Sequence, residues 1–278
     1  MSKETIVKEL VGMGYVVSES TSRKNGIDYP CLSVTKDERL GVVLREEVWD
    51  MPIEDVVEII ENAFANQPTM ADNLDNADYI REHLSIRLMG ADRTVGYPTQ
   101  KSFLNGVNAV LVIQDEEQSI LLNDNAFNHF SKLVGLDAEE MWSLAFANLD
   151  RTAKPKVKTM YDQLKTMYDQ LIEMMGEEFA EIMPPTKEED AMIVVSNACG
   201  TLGANVIQLP STWQMISKYF NGDVYVIPSS IHELIILDAS KISLEDVTEM
   251  VRDVNDTQVA DEDRLSYEVT RINVADMI

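Results

Sequence analysis

The sequence predicts an α+β fold, made of repeated β-β-α units with mostly antiparallel sheets and packed amphipathic helices. Three observations carry that expectation. Short β-branched runs recur in pairs across polar turns, stretches of helical periodicity follow the pairs, and capping residues open several of those helices. All three meet in Gly222 to Asn255, the most legible stretch of the chain. Val224 to Ile227 and Leu234 to Leu237 read as two strands around Pro228-Ser229-Ser230. Ser243, with Asp246 three residues on, caps a helix whose Leu244, Val247, Val251 and Val254 share one face. Val226, Leu234, Ile236, Val247 and Val251 are the expected core of this unit.

From the N-terminus, Ser2 caps a helix with Ile6, Val7, Leu10 and Val11 on one stripe, ended by Gly12 and Gly14. Strands are expected at Tyr15 to Ser18, Tyr29 to Thr35 and Arg39 to Leu44, the last two joined through Lys36-Asp37-Glu38. Asp50 and Pro52 start a helix that turns Val56, Ile60 and Phe64 inward. Asp72 to Met89 reads as a helix carrying Ala77, Ile80, Leu84 and Leu88. Val107 to Ile113 and Ser119 to Leu122 form a hairpin through Asp115-Glu116-Glu117, and helices follow at Asn123 to Val134 and Asp137 to Asn148. The second of these helices has a capping box, Asp137 with Glu140.

Identical heptapeptides KTMYDQL then stand end to end, Lys158 to Leu164 and Lys165 to Leu171, with Met160, Leu164, Met167, Leu171 and Met174 on one seam. Two heptads fall short of a coiled coil, so a duplication that lengthened a packed helix is the simpler reading, and a helix offered to a partner is the other. Pro184-Pro185 ends the helix, and Thr186 to Asp190 is the expected linker. Strands at Ala191 to Ser196 and Asn205 to Leu209 flank a loop read as a hairpin connection, CGTLGAN. Ser211 with Gln214 caps a helix through Trp213, Ile216 and Phe220, and Arg264 to Ile272 adds a last strand. The expected organisation is an N-terminal α+β lobe over 1–150, a helical connector with the duplicated heptad over 151–190, and a C-terminal α+β lobe over 191–278.

Charge narrows the function classes. Lys and Arg total 23 against 48 Asp and Glu, for a net charge of −25. The excess is even, with 12 against 26 up to Asp150 and 11 against 22 after it. Such a field repels phosphate backbones and anionic lipid, so direct nucleic-acid and membrane binding are not expected, and a protein partner, basic in character, fits better. No apolar run is long enough to span a bilayer, and MSKETIVKEL carries charges where a signal peptide needs an apolar core, which points to the cytoplasm. Cys31 and Cys199 make no disulfide framework or zinc spacing, and both read as small buried groups.

No stretch matches a reaction motif. Ser230, His232 and Glu233 contain the residue types of a hydrolase triad and are the catalytic candidates. Their sequence proximity argues against the chemistry, because on a strand His232 and Glu233 project to opposite faces while a triad needs its base held from both sides. A polar turn with a hydrogen-bonded histidine is the simpler reading. The CGTLGAN loop lacks the glycine and lysine pattern of a phosphate-binding turn. His83, His129 and His232 stand apart with no metal spacing, and the acidic clusters Glu46-Glu47, Asp115-Glu116-Glu117 and Glu188-Glu189-Asp190 read as solvated surface, with no calcium-loop pattern. No cofactor and no metal are expected. Three functions stay open: a non-enzymatic protein interaction module, a hydrolase using Ser230 and His232, and an acidic DNA mimic.

The segments DVYVIPSSIHELIILDA (Asp223 to Ala239), MVRDVNDTQV (Met250 to Val259) and RLSYEV (Arg264 to Val269) resemble the bacterial domain-of-unknown-function family 5688. Weaker likenesses are Asn25-Gly26, Leu136 to Leu149 and Val194 to Ile207, and the whole is distantly similar to YtpQ-like proteins. The resemblance implies no activity, cofactor or catalytic residue, since the family has none established. It does imply a bacterial setting near mobile elements and phage-derived genes. The chain departs from the family pattern at the KTMYDQL duplication and at Ser266-Tyr267, where Ser-Asp is usual.

Overall fold

A computed structural model describes residues 2–36, 41–65, 70, 73–115, 118–175, 192–228 and 230–278. Within these, the side chains of residues 167, 168, 171 and 175 are left out of the description. The chain folds as two units, Met1–Asp75 and Asn76–Ile278.

In the first unit α1 (Lys3–Gly12) is capped by Ser2, whose hydroxyl accepts the Thr5 amide. It buries Ile6 and Leu10 and leaves Val11 in solvent. β1 (Val16–Lys24) and β2 (Ile27–Thr35) pair antiparallel, and β3 (Val42–Leu44) lies against β2. β1 extends well past the expected Ser18, because Asn25 and Gly26, with φ of 51° and 81°, close a tight hairpin. Two left-handed residues twist a two-residue turn to match its strands, which Asn-Gly does at least cost. α2 (Ile53–Ala65) turns Val56, Ile60 and Phe64 onto Ile6, Leu10, Leu32, Val34 and Leu44, and these form the unit's core.

Among the described residues the second unit holds two sheets, and every strand pair in them is antiparallel. Asn76 caps a short helix, α3 (Ala77–His83), that gives way to β4 (Leu84–Gly90) where one long helix was expected. The reason is burial on both faces: every residue of β4 is buried, and the run Leu84 to Met89 fills a strand better than one face of a helix. β6 (Val107–Gln114) pairs with β4 on one edge and with β5 (Thr99–Lys101) and β7 (Ser119–Leu121) on the other. The expected β6–β7 hairpin is present; Glu116 and Glu117 lie outside the described residues. α4 (Asp124–Val134) and α5 (Ala138–Thr152) follow, capped by Asn123 and by the Asp137–Glu140 box.

The second sheet runs β12-β10-β11-β9-β8, from β12 (Thr270–Asn273), β10 (Asp223–Ile227), β11 (Leu234–Asp238), β9 (Met192–Asn197) and β8 (Pro155–Thr159). β8 lies within the span expected as a helical connector, and the division after Asp75 falls inside the expected 1–150 lobe. The two heptapeptides therefore differ in structure. Lys158 and Thr159 end β8, paired with Val194 and Ile193, whereas Lys165 and Thr166 sit inside α6 (Met160–Met175). Pairing to β9 overrides the local helical preference of the first copy, and Thr159 then caps α6 by accepting the Asp162 amide at 3.0 Å. On the expected seam Leu164 and Met174 are exposed. Pro184-Pro185, the Thr186–Asp190 linker and the cluster at Glu188 lie outside the described residues.

After β9 the chain makes a 3-10 turn (Gly203–Gln208) in place of the expected strand at 205–209. Helix α7 (Pro210–Ile216) begins on Pro210 with no side-chain cap, so Ser211 does not cap it. Proline at the first helical position needs no amide partner, and the helix starts two residues earlier than a Ser211 cap would place it. α8 (Leu244–Thr257) is capped by Ser243 as expected, and Val247 and Val251 pack on Tyr225, Ile227 and Leu237. Val226, Leu234, Ile236, Val247 and Val251 are all buried, while Leu244 is half exposed. Among the described residues no helix is long and apolar enough to cross a membrane.

Candidate functional site

The turn between β10 and β11 carries Ser230, His232 and Glu233, and it is built from its serine. Ser230 Oγ accepts the backbone amides of His232 and Glu233, both at 3.2 Å. These bonds hold the turn and occupy the hydroxyl oxygen that a hydrolase would need free to attack. The imidazole points elsewhere. His232 Nδ1 accepts the Leu202 amide at 3.1 Å, which puts the neutral ring's proton on Nε2, 3.5 Å from Asp263 Oδ2. The His232 carbonyl accepts from Ser196 Oγ at 2.8 Å. Sequence reasoning thus has the residue types adjacent and the roles apart: Ser230 shapes the turn, His232 ties three segments together, and Glu233 makes no side-chain bond to either.

Asp263, beside the histidine, also exerts its charge on Arg87, a group that sequence reasoning missed. Arg87 lies on β4 at 7% exposure. Burial pushes its guanidinium down to about 10, with the Asp263 carboxylate pulling the other way. Its Nε has no hydrogen-bond partner among the described residues. The Asp263 carboxylate thus stands beside the His232 ring and its charge is felt by Arg87 in the first sheet of this unit.

Gly203 explains how the segments come so close. A Cβ there would fall against Ser196 Oγ, the Asn197 amide and the His232 carbonyl, so only glycine fits. Leu202 just before it is left-handed, with φ 54° and ψ 25°, an uncommon state for a branched side chain, and its amide is held by His232.

Leu202 also lines a cleft of about 830 Å³, within the usual range for ligand sites. Ser230, His232 and Glu233 do not line it. The walls come from the α3–β4 junction, the β6–β7 turn, the C-terminal end of α5 and the loop 197–205. Three buried polar residues mark its inner wall. Asn148 Nδ2 donates to the Arg81 and Leu84 carbonyls, each at 2.8 Å, and Asn205 Nδ2 donates to the Ile86 carbonyl at 2.8 Å. Ser85, only 8% exposed, makes no side-chain hydrogen bond to any described residue.

Cys199 stands on the loop side of the cleft and is exposed, unlike the buried Cys31. The expectation that both are buried fails at Cys199 because the turn after β9 lifts it off the sheet. Its thiol donates to Asn197 Oδ1 at 3.2 Å. Across the same cleft His83 stacks on Tyr79, with ring centroids 3.9 Å apart, and donates from Nδ1 to the Tyr79 carbonyl at 2.9 Å. Cys199 and His83 are not hydrogen-bonded to each other. Arg151 and Lys154 add positive charge on the α5 side. Among the described residues no group of three or more His, Cys, Asp or Glu is placed to hold a metal ion.

No curated protein and no solved structure matches the chain, and the likeness to YtpQ-like proteins finds no support. Nearly the whole chain, residues 3–271, matches a family of unknown function (DUF5688), and the protein belongs to that family.

Proposed function

We propose that the protein is a non-enzymatic interaction module that holds a partner protein through the cleft of its second unit. The observation that carries this reading is the cleft itself, about 830 Å³, with the Ser85 hydroxyl on its wall unpaired among the described residues. A hydroxyl open toward a cleft is a group to which a bound ligand can hydrogen-bond. The hydrolase alternative is weaker, since Ser230 spends its oxygen on two amides and His232 faces Asp263. Affinity purification from the native host at physiological salt tests the proposal. A stable, stoichiometric partner is expected. Its absence, together with labelling of Ser230 by a reactive-serine probe that Ser230→Ala removes, would move the protein to the enzyme class.

A further inference from the structure

Local charge next to the cleft runs opposite to that of the chain. Residues 151–158, RTAKPKVK, carry Arg151, Lys154, Lys156 and Lys158 and no acid, in a protein whose net charge is −25. Arg151 and Lys154 line the cleft, and Lys156 and Lys158 continue along β8. Alternation along a strand puts residues 154, 156 and 158 on one side, while Val157 and Thr159 on the other are buried. β8 is the end strand of its sheet, so among the described residues nothing pairs with its outer edge. Neither Lys154 nor Lys156 has a hydrogen-bond or ion-pair partner among the described residues.

We propose that the cleft and the outer edge of β8 form one docking site for an extended acidic segment of the partner. The inference deepens the interaction reading above and rests on it. Strand addition to an open edge takes its affinity from main-chain hydrogen bonds and its specificity from alternate side chains. Here the open alternate positions are Lys154 and Lys156, since Lys158 donates to Thr166 Oγ1 at 3.3 Å, so a complementary strand carries Asp or Glu opposite those two. Lysines and Pro155 on an edge also discourage pairing with a second β8, which would set lysine against lysine. The edge therefore rejects its own copy and accepts an acidic strand. At the head of the strand the Ser85 hydroxyl offers a hydrogen bond inside the cleft.

The net charge sets a salt signature. At about 0.01 M salt, where charges act over roughly 30 Å, the acidic body repels an acidic segment; at about 0.15 M the range falls to roughly 8 Å and only the local lysines are felt; near 1 M these are screened too. Affinity is highest at the intermediate salt.

Rhodamine-labelled peptides of alternating sequence, ETETETE and KTKTKTK, titrated with the full chain and read by fluorescence anisotropy, test the site. The acidic peptide should bind at least tenfold more tightly than the basic one, with the salt maximum just described. K154E/K156E should lose at least tenfold, with unchanged circular dichroism. Ser85→Ala should weaken the peptide severalfold without lowering Tm, because it removes a hydroxyl that bonds nothing among the described residues. Equal binding of the two peptides, an unaffected K154E/K156E protein, or displacement by heparin as effective per charge as by unlabelled ETETETE would overturn the inference. Affinity purification separates this from the broader reading. A partner captured equally by wild type and K154E/K156E refutes the β8 site alone, whereas capture of nothing by wild type refutes the interaction module.

Discussion

Leu234→Ala probes the β-β-α unit on which the second sheet depends. Leu234 has no solvent exposure and starts β11, which lies between β10 and β9 with Leu234 opposite Val195. Truncation removes three carbons, or roughly 2.4 kcal/mol at about 0.8 kcal/mol per buried methylene. Strands on both sides of β11 limit collapse into the space left, so a cavity contribution raises the expected loss to about 3–5 kcal/mol. That is a large share of a typical total of roughly 5–15 kcal/mol. For a unit of this size it lowers Tm by roughly 6–20 °C. Leu244→Ala is the matched control: it lies in the same β-β-α unit but is 51% exposed, and it should stay within about 0.5 kcal/mol of wild type. Urea denaturation followed by circular dichroism reads both. A Leu234→Ala loss below about 1 kcal/mol, or equal losses in the two variants, would refute the packing argument.

Four further outcomes are expected. Gly26→Ala places a Cβ at φ 81° in the β1–β2 turn and should destabilise the first unit by about 1–2 kcal/mol, checked by thermal melting. Asp223 is held below the usual carboxylate range by the Asn273 amide and the Arg271 guanidinium; a depressed folded value means stability that is present at neutral pH and lost as pH falls below about 4. Asp223→Asn should flatten that acid limb in melts between about pH 2 and pH 5. Native thiol titration should modify Cys199 quickly and Cys31 only on unfolding, and Cys199→Ser should abolish the fast phase. His232→Gln disturbs the bond to Leu202 and the contact with Asp263; it should lower Tm while partner capture by the folded protein persists, and unchanged Tm with lost capture would make the turn functional.

How much of this was legible in the sequence depended on whether the signal was local. The β10–β11–α8 unit could be read directly, down to its five buried residues, because strand runs, a polar turn and a cap follow one another within a short stretch. The Asp137–Glu140 box and the inward face of α2 were equally local. The Asn25-Gly26 hairpin carried a signal that was passed over: Asn-Gly is the strongest short-range hairpin mark, and it lay between polar strands whose exposed pattern hid them. β4 and the split heptapeptide could not be read this way, because both conformations are set by partners remote in sequence, β6 for Leu84 to Gly90 and β9 for Lys158 and Thr159. The site was legible only in part. Ser230 and His232 were noticed for their chemistry and instead hold a turn and tie it to Leu202 and Asp263. Ser85 and Arg87 share β4, whereas Asp263 and the rest of the cleft wall lie far along the chain, so these residues gain meaning only when folded together. The lysine run from Arg151 to Lys158 was visible as a local reversal of charge, which the chain total of −25 conceals.

The most direct measurement is affinity purification of the full chain from the native host at physiological salt, run in parallel with protein whose exposed Cys199 carries a bulky maleimide. Cys199 lines the cleft, so a stoichiometric partner should be recovered with the unmodified protein and lost when the cleft is blocked. Recovery of no partner, or of the same partner in equal amount after Cys199 is blocked, would contradict a binding role for the cleft.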